Sequence, residues 1–170
     1  MIPSEVRDTL KQQVIDARGV VGRTTGELTM KLEATIVVDR PVADVWDFVA
    51  VHHVENHPRW DPDIQLEQVS EGPIGVGTLI KRRSTRFGAP VEGSMQIVGF
   101  EPERSIRSLV RDGDRQMNGF ITFAPEGDAQ TRLTLGADIG WLDDAEVAAF
   151  IKSKMQRSVT TIKEFLESTE

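Results

Sequence analysis

Apolar and polar positions change their period several times along this chain. Leu32-Glu33-Ala34-Thr35-Ile36-Val37-Val38 is rich in β-branched residues and predicts a strand. Pro41 then suits a first helical turn, where its missing N–H costs nothing, and Val42, Val45, Trp46 and Val49 recur at helical spacing. That helix, about ten residues long and ending near His52, is too short to persist in water unless its apolar stripe is covered. A second short helix, punctuated by Pro58-Arg59-Trp60, precedes the next strand. From residue 64 to residue 141 the texture is that of an antiparallel meander. Strands are predicted at 64–69, 78–87, 91–100, 105–111, 116–123 and 131–139, joined by turns such as Phe87-Gly88-Ala89-Pro90, Asp112-Gly113-Asp114 and Glu126-Gly127-Asp128. With 32–38 they make seven.

Asp143 or Asp144 then caps a long helix running to about Ser168, in which Val147, Ile151, Met155, Val159, Ile162 and Leu166 recur three and four residues apart. About 25 residues at 1.5 Å each give a rod near 37 Å, enough to lie across a seven-stranded sheet. Lys152, Gln156, Lys163, Glu164 and Glu167 keep the opposite face polar, so the helix has one buried side. Residues 1–28 stand apart. Ser4 is placed to cap a helix with Val6, Leu10 and Val14 on one face, and Gly19, Gly22 and Gly26 break the pattern. The chain thus divides into an N-terminal helical appendage, 1–28, and one domain, 29–170. The appendage's thin stripe offers a face for docking on the domain or for forming a homodimer; a frayed leader without function is the alternative.

Composition narrows the classes of function. The 170 residues are 39% hydrophobic and 28% charged, near the average of a globular domain with one core. A net charge of −7 and a pI near 5.0 repel phosphate backbones, and no polybasic run occurs, so neither nucleic acid nor an anionic membrane surface is an expected partner. No apolar stretch approaches the roughly 18 to 20 residues that span a bilayer, and the N-terminus lacks a signal peptide's apolar core, so the chain reads as cytoplasmic. With no cysteine, disulfides, thiol nucleophiles and thiolate metal sites are excluded.

Several separate motifs then fall in one order: Arg40-Pro41-Val42-Ala43-Asp44-Val45-Trp46-Asp47-Phe48-Val49, Pro58-Arg59-Trp60-Asp61-Pro62, Glu71-Gly72-Pro73-Ile74-Gly75-Val76-Gly77-Thr78, Phe100-Glu101-Pro102-Glu103-Arg104-Ser105-Ile106 and Asp128-Ala129-Gln130-Thr131-Arg132-Leu133-Thr134. Together they resemble the START-like (SRPBCC) superfamily with the helix-grip fold of the birch-pollen allergen, and within it the polyketide cyclase/dehydrase-like branch. The resemblance covers about residues 30–168. It implies an α+β helix-grip fold: a seven-stranded curved antiparallel sheet around the C-terminal helix, with two short helices after the first strand. Members bind sterols, lipids, quinones or polyketides, cyclise polyketides, or sense ligands for a larger machine. Fold does not settle which, and the site must be argued from its residues.

If the sheet wraps the helix, Ile80 sets an inward parity that includes Arg82 and Ser84. An arginine inside a cup must find a carboxylate or a ligand. Its fork would hold a ligand carboxylate or a developing enolate oxygen. The alternative is a bulged strand that leaves Arg82 outside with Lys81, Arg83 and Arg86. Other inward candidates are mostly apolar: Met95, Met117 and Phe123 from the sheet, and Ile151, Met155 and Val159 from the helix. The three methionines suit ligands of irregular shape. Gly93, Gly99, Ser108, Gly119 and Ala137 lack bulk on the same parities, which leaves room for a ligand.

His52, His53 and His57 are the only histidines. On a helix His53 and His57 stand about 40° apart on one face, a metal-pair geometry, but no H-E-x-x-H and no third ligand accompany them, so no metal is expected. His57 lines the mouth of the cup as a group titrating near neutral pH, or is a solvated loop residue. Trp60 and Trp141 stack on a flat ligand or close the rim of the core.

The leading expectation is a protein that binds a small hydrophobic or aromatic molecule, lipid, quinone or polyketide-like, without a cofactor. No G-x-S-x-G elbow, P-loop or dinucleotide fingerprint occurs. Polyketide cyclases of this superfamily rely on tyrosines and arginines, and this chain has no tyrosine. The enzyme alternative, a polyketide cyclase/dehydratase, would take His57 as base and Arg82 as enolate stabiliser. A third alternative is a protein-interaction module with a filled core.

Overall fold

The structure, a computed structural model, describes residues 30–169; the helix expected within residues 1–28 lies outside them. The elements run β1 (Met30–Val38), α1 (Val42–Trp46), a π-helical turn (Asp47–Val51), α2 (His53–Trp60), β2 (Ile64–Gln68), β3 (Leu79–Ser84), β4 (Val91–Glu101), β5 (Ser105–Asp112), β6 (Arg115–Glu126), β7 (Gln130–Ile139) and α3 (Ala145–Ser168). All seven strands form one antiparallel sheet in the order β1-β7-β6-β5-β4-β3-β2. This is the helix-grip arrangement that the family resemblance implies, built from strands and a long amphipathic helix at the places the sequence pattern predicts. The expected strand at 78–87 is shorter, because the chain leaves the ladder after Ser84 to make the turn in which Gly88 takes a φ of 108°.

The first helix starts at Pro41, which acts as N-cap and accepts the amide protons of Asp44 and Val45 on its carbonyl. It widens into the π turn before His52 instead of ending as a regular α-helix. A π turn displaces carbonyls from their usual partners, and two polar side chains of α2 take them up. Asn56 Nδ2 donates to Phe48 O at 2.9 Å and His53 Nδ1 meets Val49 O at 2.9 Å. At the start of α3, Asp144 Oδ1 accepts from the amides of Glu146 and Val147, both at 2.9 Å. Asp144→Ala should therefore cost about 1 kcal/mol, read as a lower urea midpoint at unchanged slope.

Burial along β3 alternates strictly, with Ile80, Arg82 and Ser84 buried and Leu79, Lys81 and Arg83 exposed. No bulge interrupts β3, so the outward alternative for Arg82 is overturned. The bulge lies in β4, where Val98 is the extra residue between the pairs Ile97↔Ser108 and Gly99↔Arg107. Parity reverses there: Phe100 turns inward against Trp46, ring centroids 4.9 Å apart. Gly99 faces Arg107, whose Nε would lie 2.5 Å from a Cβ at that position. Gly99 therefore frees no space inside the cup, contrary to the simple alternation. The buried apolar residues fall into two clusters, one around Trp46, Ile97, Phe123 and Leu133 and one around Leu32, Ile139, Val147 and Ile151; Met117 packs against both.

Candidate functional site

Three small inward residues stand opposite one another across the middle of the sheet: Ser108 pairs with Gly119, and Gly119 with Ala137. The flanking rows carry bulk, Val110 against Met117 on one side and Ile106, Ile121 and Leu135 on the other. Beneath α3, which contributes Met155 and Ser158, the small row leaves a cavity of about 120 Å³. An apolar cavity of about 150 Å³ accepts benzene, so the space is of the order of one aromatic ring.

One end of this cavity is polar. Arg82 is 3% exposed and its Nε contacts Asp112 Oδ1 at 3.0 Å and Oδ2 at 3.3 Å. Arg82, Gly93 and Asp112 stand in one row across β3, β4 and β5, so the pair bridges a strand. Only a glycine permits this: a Cβ at position 93 would lie 2.0 Å from Arg111 O and 2.6 Å from Asp112 Oδ1. Burial lowers the Arg82 pKa and Asp112 opposes that shift.

A second chain of polar contacts runs along α2. Val49 O can only accept, so His53 donates from Nδ1, and its Nε2 accepts from His57 Nδ1–H at 3.0 Å. His57 Nε2 is then a lone pair, 3.9 Å from Asp61 Oδ2. Asp61 is held by Arg86 Nη2, and Lys154 of α3 by Asp63 at 3.1 Å. His57 stacks on Trp60 with ring centroids 5.2 Å apart and 15° between planes. Burial and the neighbouring His57 push the His53 pKa down to about 3. Burial also pushes His57 below the usual histidine value, against the pull of Asp61. Burial alone would raise the Asp61 carboxyl, but His57 and Arg86 outweigh it and hold it far below the carboxylate range. The expectation that His57 titrates near neutral pH is corrected accordingly, and so is the solvated-loop alternative: its side chain is 14% exposed and sits on α2.

Of the residues singled out from the sequence, His53, His57, Trp60, Arg82, Met95, Ser108, Met117, Gly119, Ala137 and Met155 line the cavity. Ser84, Phe123, Trp141, Ile151 and Val159 do not. Ser84 is buried at the end of β3, where its Oγ accepts from the Arg86 amide. Phe123 packs edge-on against Trp46, and Ile151 belongs to the cluster around Leu32 and Ile139. Val159 is fully buried outside the wall, and Trp141 lies beside Arg115, whose guanidinium is 4.3 Å from its ring centroid. The sequence pattern gives no cavity role to His53, Asp61, Arg86 and Lys154, which line the polar end, or to Asp112, which pairs with the lining Arg82. Asp61 carries a readable signal, standing one helical turn after His57. Asp112 shares the inward parity of Ser108 and Val110.

A seven-stranded antiparallel sheet gripping a long C-terminal helix over an apolar cavity defines a START-like helix-grip protein. The chain belongs to the family described as polyketide cyclase/dehydrase and lipid transport, which residues 29–167 match. Its fold is similar to that of Ara h 8.0201, with 18% identity over 84% of this chain and 100% of that chain and a TM-score of 0.66. It is also similar to a START superfamily protein from Mycobacterium smegmatis, with 13% identity over 82% of this chain and 99% of that chain and a TM-score of 0.68. A third similar structure is the Zhui aromatase/cyclase from Streptomyces sp. R1128, with 16% identity over 82% of this chain and 94% of that chain and a TM-score of 0.64. At these identities the likeness is one of fold. No curated protein matches the sequence. Among the described residues, no helix is long and apolar enough to cross a membrane, and no group of three or more His, Asp or Glu is arranged to hold a metal ion.

Proposed function

We propose that this protein binds a small hydrophobic molecule, flat and aromatic in character, between the sheet and α3. The observation that carries the reading is the row Ser108, Gly119, Ala137, which keeps about 120 Å³ open under α3. Apolar walls with a few convergent polar groups are the usual make-up of a small-molecule site. The same open space weighs against an interaction module with a filled core. The family's cyclase/dehydratase activity is the second reading, favoured by one feature: a neutral His57 lone pair and the Arg82 guanidinium line the same cavity.

Filling the row tests the first reading. Ser108→Ile places a branched side chain in the cavity, and toluene affinity, followed by methyl NMR of Met95, Met117 and Met155, should fall at least tenfold. Overpacking should cost stability about 1–3 kcal/mol or less. Unchanged toluene affinity in a folded variant would contradict the reading.

A further inference from the structure

We propose that the molecule held in this cavity carries a carboxyl group, that the carboxylate docks on Nη1 and Nη2 of Arg82, and that its binding brings one proton to Nε2 of His57. The inference rests on the ligand-binding reading above and specifies the chemistry of the ligand's polar end.

Arg82 is nearly completely buried, yet only its Nε is engaged, by Asp112. Its two terminal nitrogens make no hydrogen bond to any described residue, and the side chain borders the cavity. Four N–H donors in a fixed plane, with no acceptor of their own, fit a carboxylate bidentately. The other cations at this end already have ion-pair partners, Arg86 Nη2 in Asp61 and Lys154 in Asp63, and the buried atom of Arg86 left without a hydrogen bond is Nε, a single donor that cannot form a fork. Arg82, Arg86 and Lys154 are thus balanced by Asp112, Asp61 and Asp63, so an incoming anion must bring its own compensation.

His57 supplies it. Its Nδ1–H is committed to His53, which stays neutral, and its Nε2 lone pair faces Asp61. The charged groups around this ring are Asp61 after α2, Arg82 and Arg86 from β3 and the following turn, and Lys154 from α3. Burial, Arg82 and Arg86 hold His57 neutral in the empty site, and Asp61 alone favours its charged form. A ligand carboxylate adds the second anion that tips this balance. The proton comes from the ligand's own carboxylic acid or from solvent; no bond other than O–H or N–H is broken or formed.

Calorimetry of the full chain with sodium benzoate, benzamide and toluene, each in phosphate and in Tris, tests both halves. Benzoate should bind at least tenfold more tightly than benzamide at pH 6, with uptake of close to one proton read from the difference between the buffers. Its affinity should weaken by up to tenfold per unit between pH 6 and 8, since unbound benzoate is ionised throughout. Arg82→Lys keeps the charge but not the fork, and should lose at least tenfold in benzoate affinity. Toluene binding together with benzoate no tighter than benzamide would overturn the carboxylate assignment and leave the hydrophobic site standing. Tight benzoate binding without proton uptake would overturn the role of His57. Binding of none of the three would overturn the hydrophobic site itself. The proton count is made on the unmodified chain, so it does not depend on how the variant folds.

Discussion

Asp112→Asn should destabilise the fold by about 3 kcal/mol, more than its partly exposed position suggests. The reason lies in its partner. Asp112 keeps 22% of its side chain accessible, but Arg82 is 3% exposed and its one described ion pair is this carboxylate. Removing the charge while keeping the shape leaves a guanidinium in a low-dielectric wall with little to offset its lost hydration. Water still reaches Asp112, which keeps the loss at the low end for a broken buried pair. The double variant Arg82→Met with Asp112→Asn should recover most of the loss, because deleting both charges removes the desolvation cost along with the attraction. Urea titrations of the two single variants and the double variant close the cycle, and a coupling energy near zero would show that the pair does not act as one unit.

A large effect is also expected in mild acid. His53 has its pKa lowered from the usual 6.5 to about 3, so the native state holds it neutral while the unfolded chain takes up a proton below 6.5. Unfolding therefore binds a proton between these limits. Stability is complete above pH 6.5 and falls as pH drops, by about 1.4 kcal/mol per unit for this one group, or about 3 kcal/mol by pH 4. His57, lowered by burial, adds loss in the same direction. Asp61 does not offset this, because a carboxyl lowered from 3.8 gives its stabilisation above that value and loses it only below. His53→Gln can still donate to Val49 O and has no proton to gain, so its stability between pH 6.5 and 4 should depend less steeply on pH. Equal slopes in the two proteins would remove His53 as the cause.

How far the sequence could be read depended on how local the causes were. The strands followed from alternation, and α3 from its apolar repeat and Asp144, because each signal lies within a few neighbouring residues. The three small residues of the cavity row stood out for lacking bulk, and strand pairing then brought them into register. The bulge at Val98 leaves no mark in the alternation, which puts Gly99 on the inward parity, whereas the ladder turns it toward Arg107 on the outer face. Asp112 reads in the sequence only as part of a turn, because its pairing depends on Gly93 and Arg82, residues on two other strands that only the ladder places beside it. The lowered pKa of His57 arises in the same way, from burial under α3 and guanidinium groups that reach it through the fold.

Ligand binding in this protein requires open space between the sheet and α3. Crystals of the protein pressurised with xenon measure it directly, since an open space with apolar walls, as at the Gly119 end of this cavity, takes up the gas and a filled core does not. The expected result is one strong xenon peak over Gly119, bounded by Ser108, Met117 and Met155. A map with no peak there, and with Met117 and Met155 folded down onto Gly119, would contradict it.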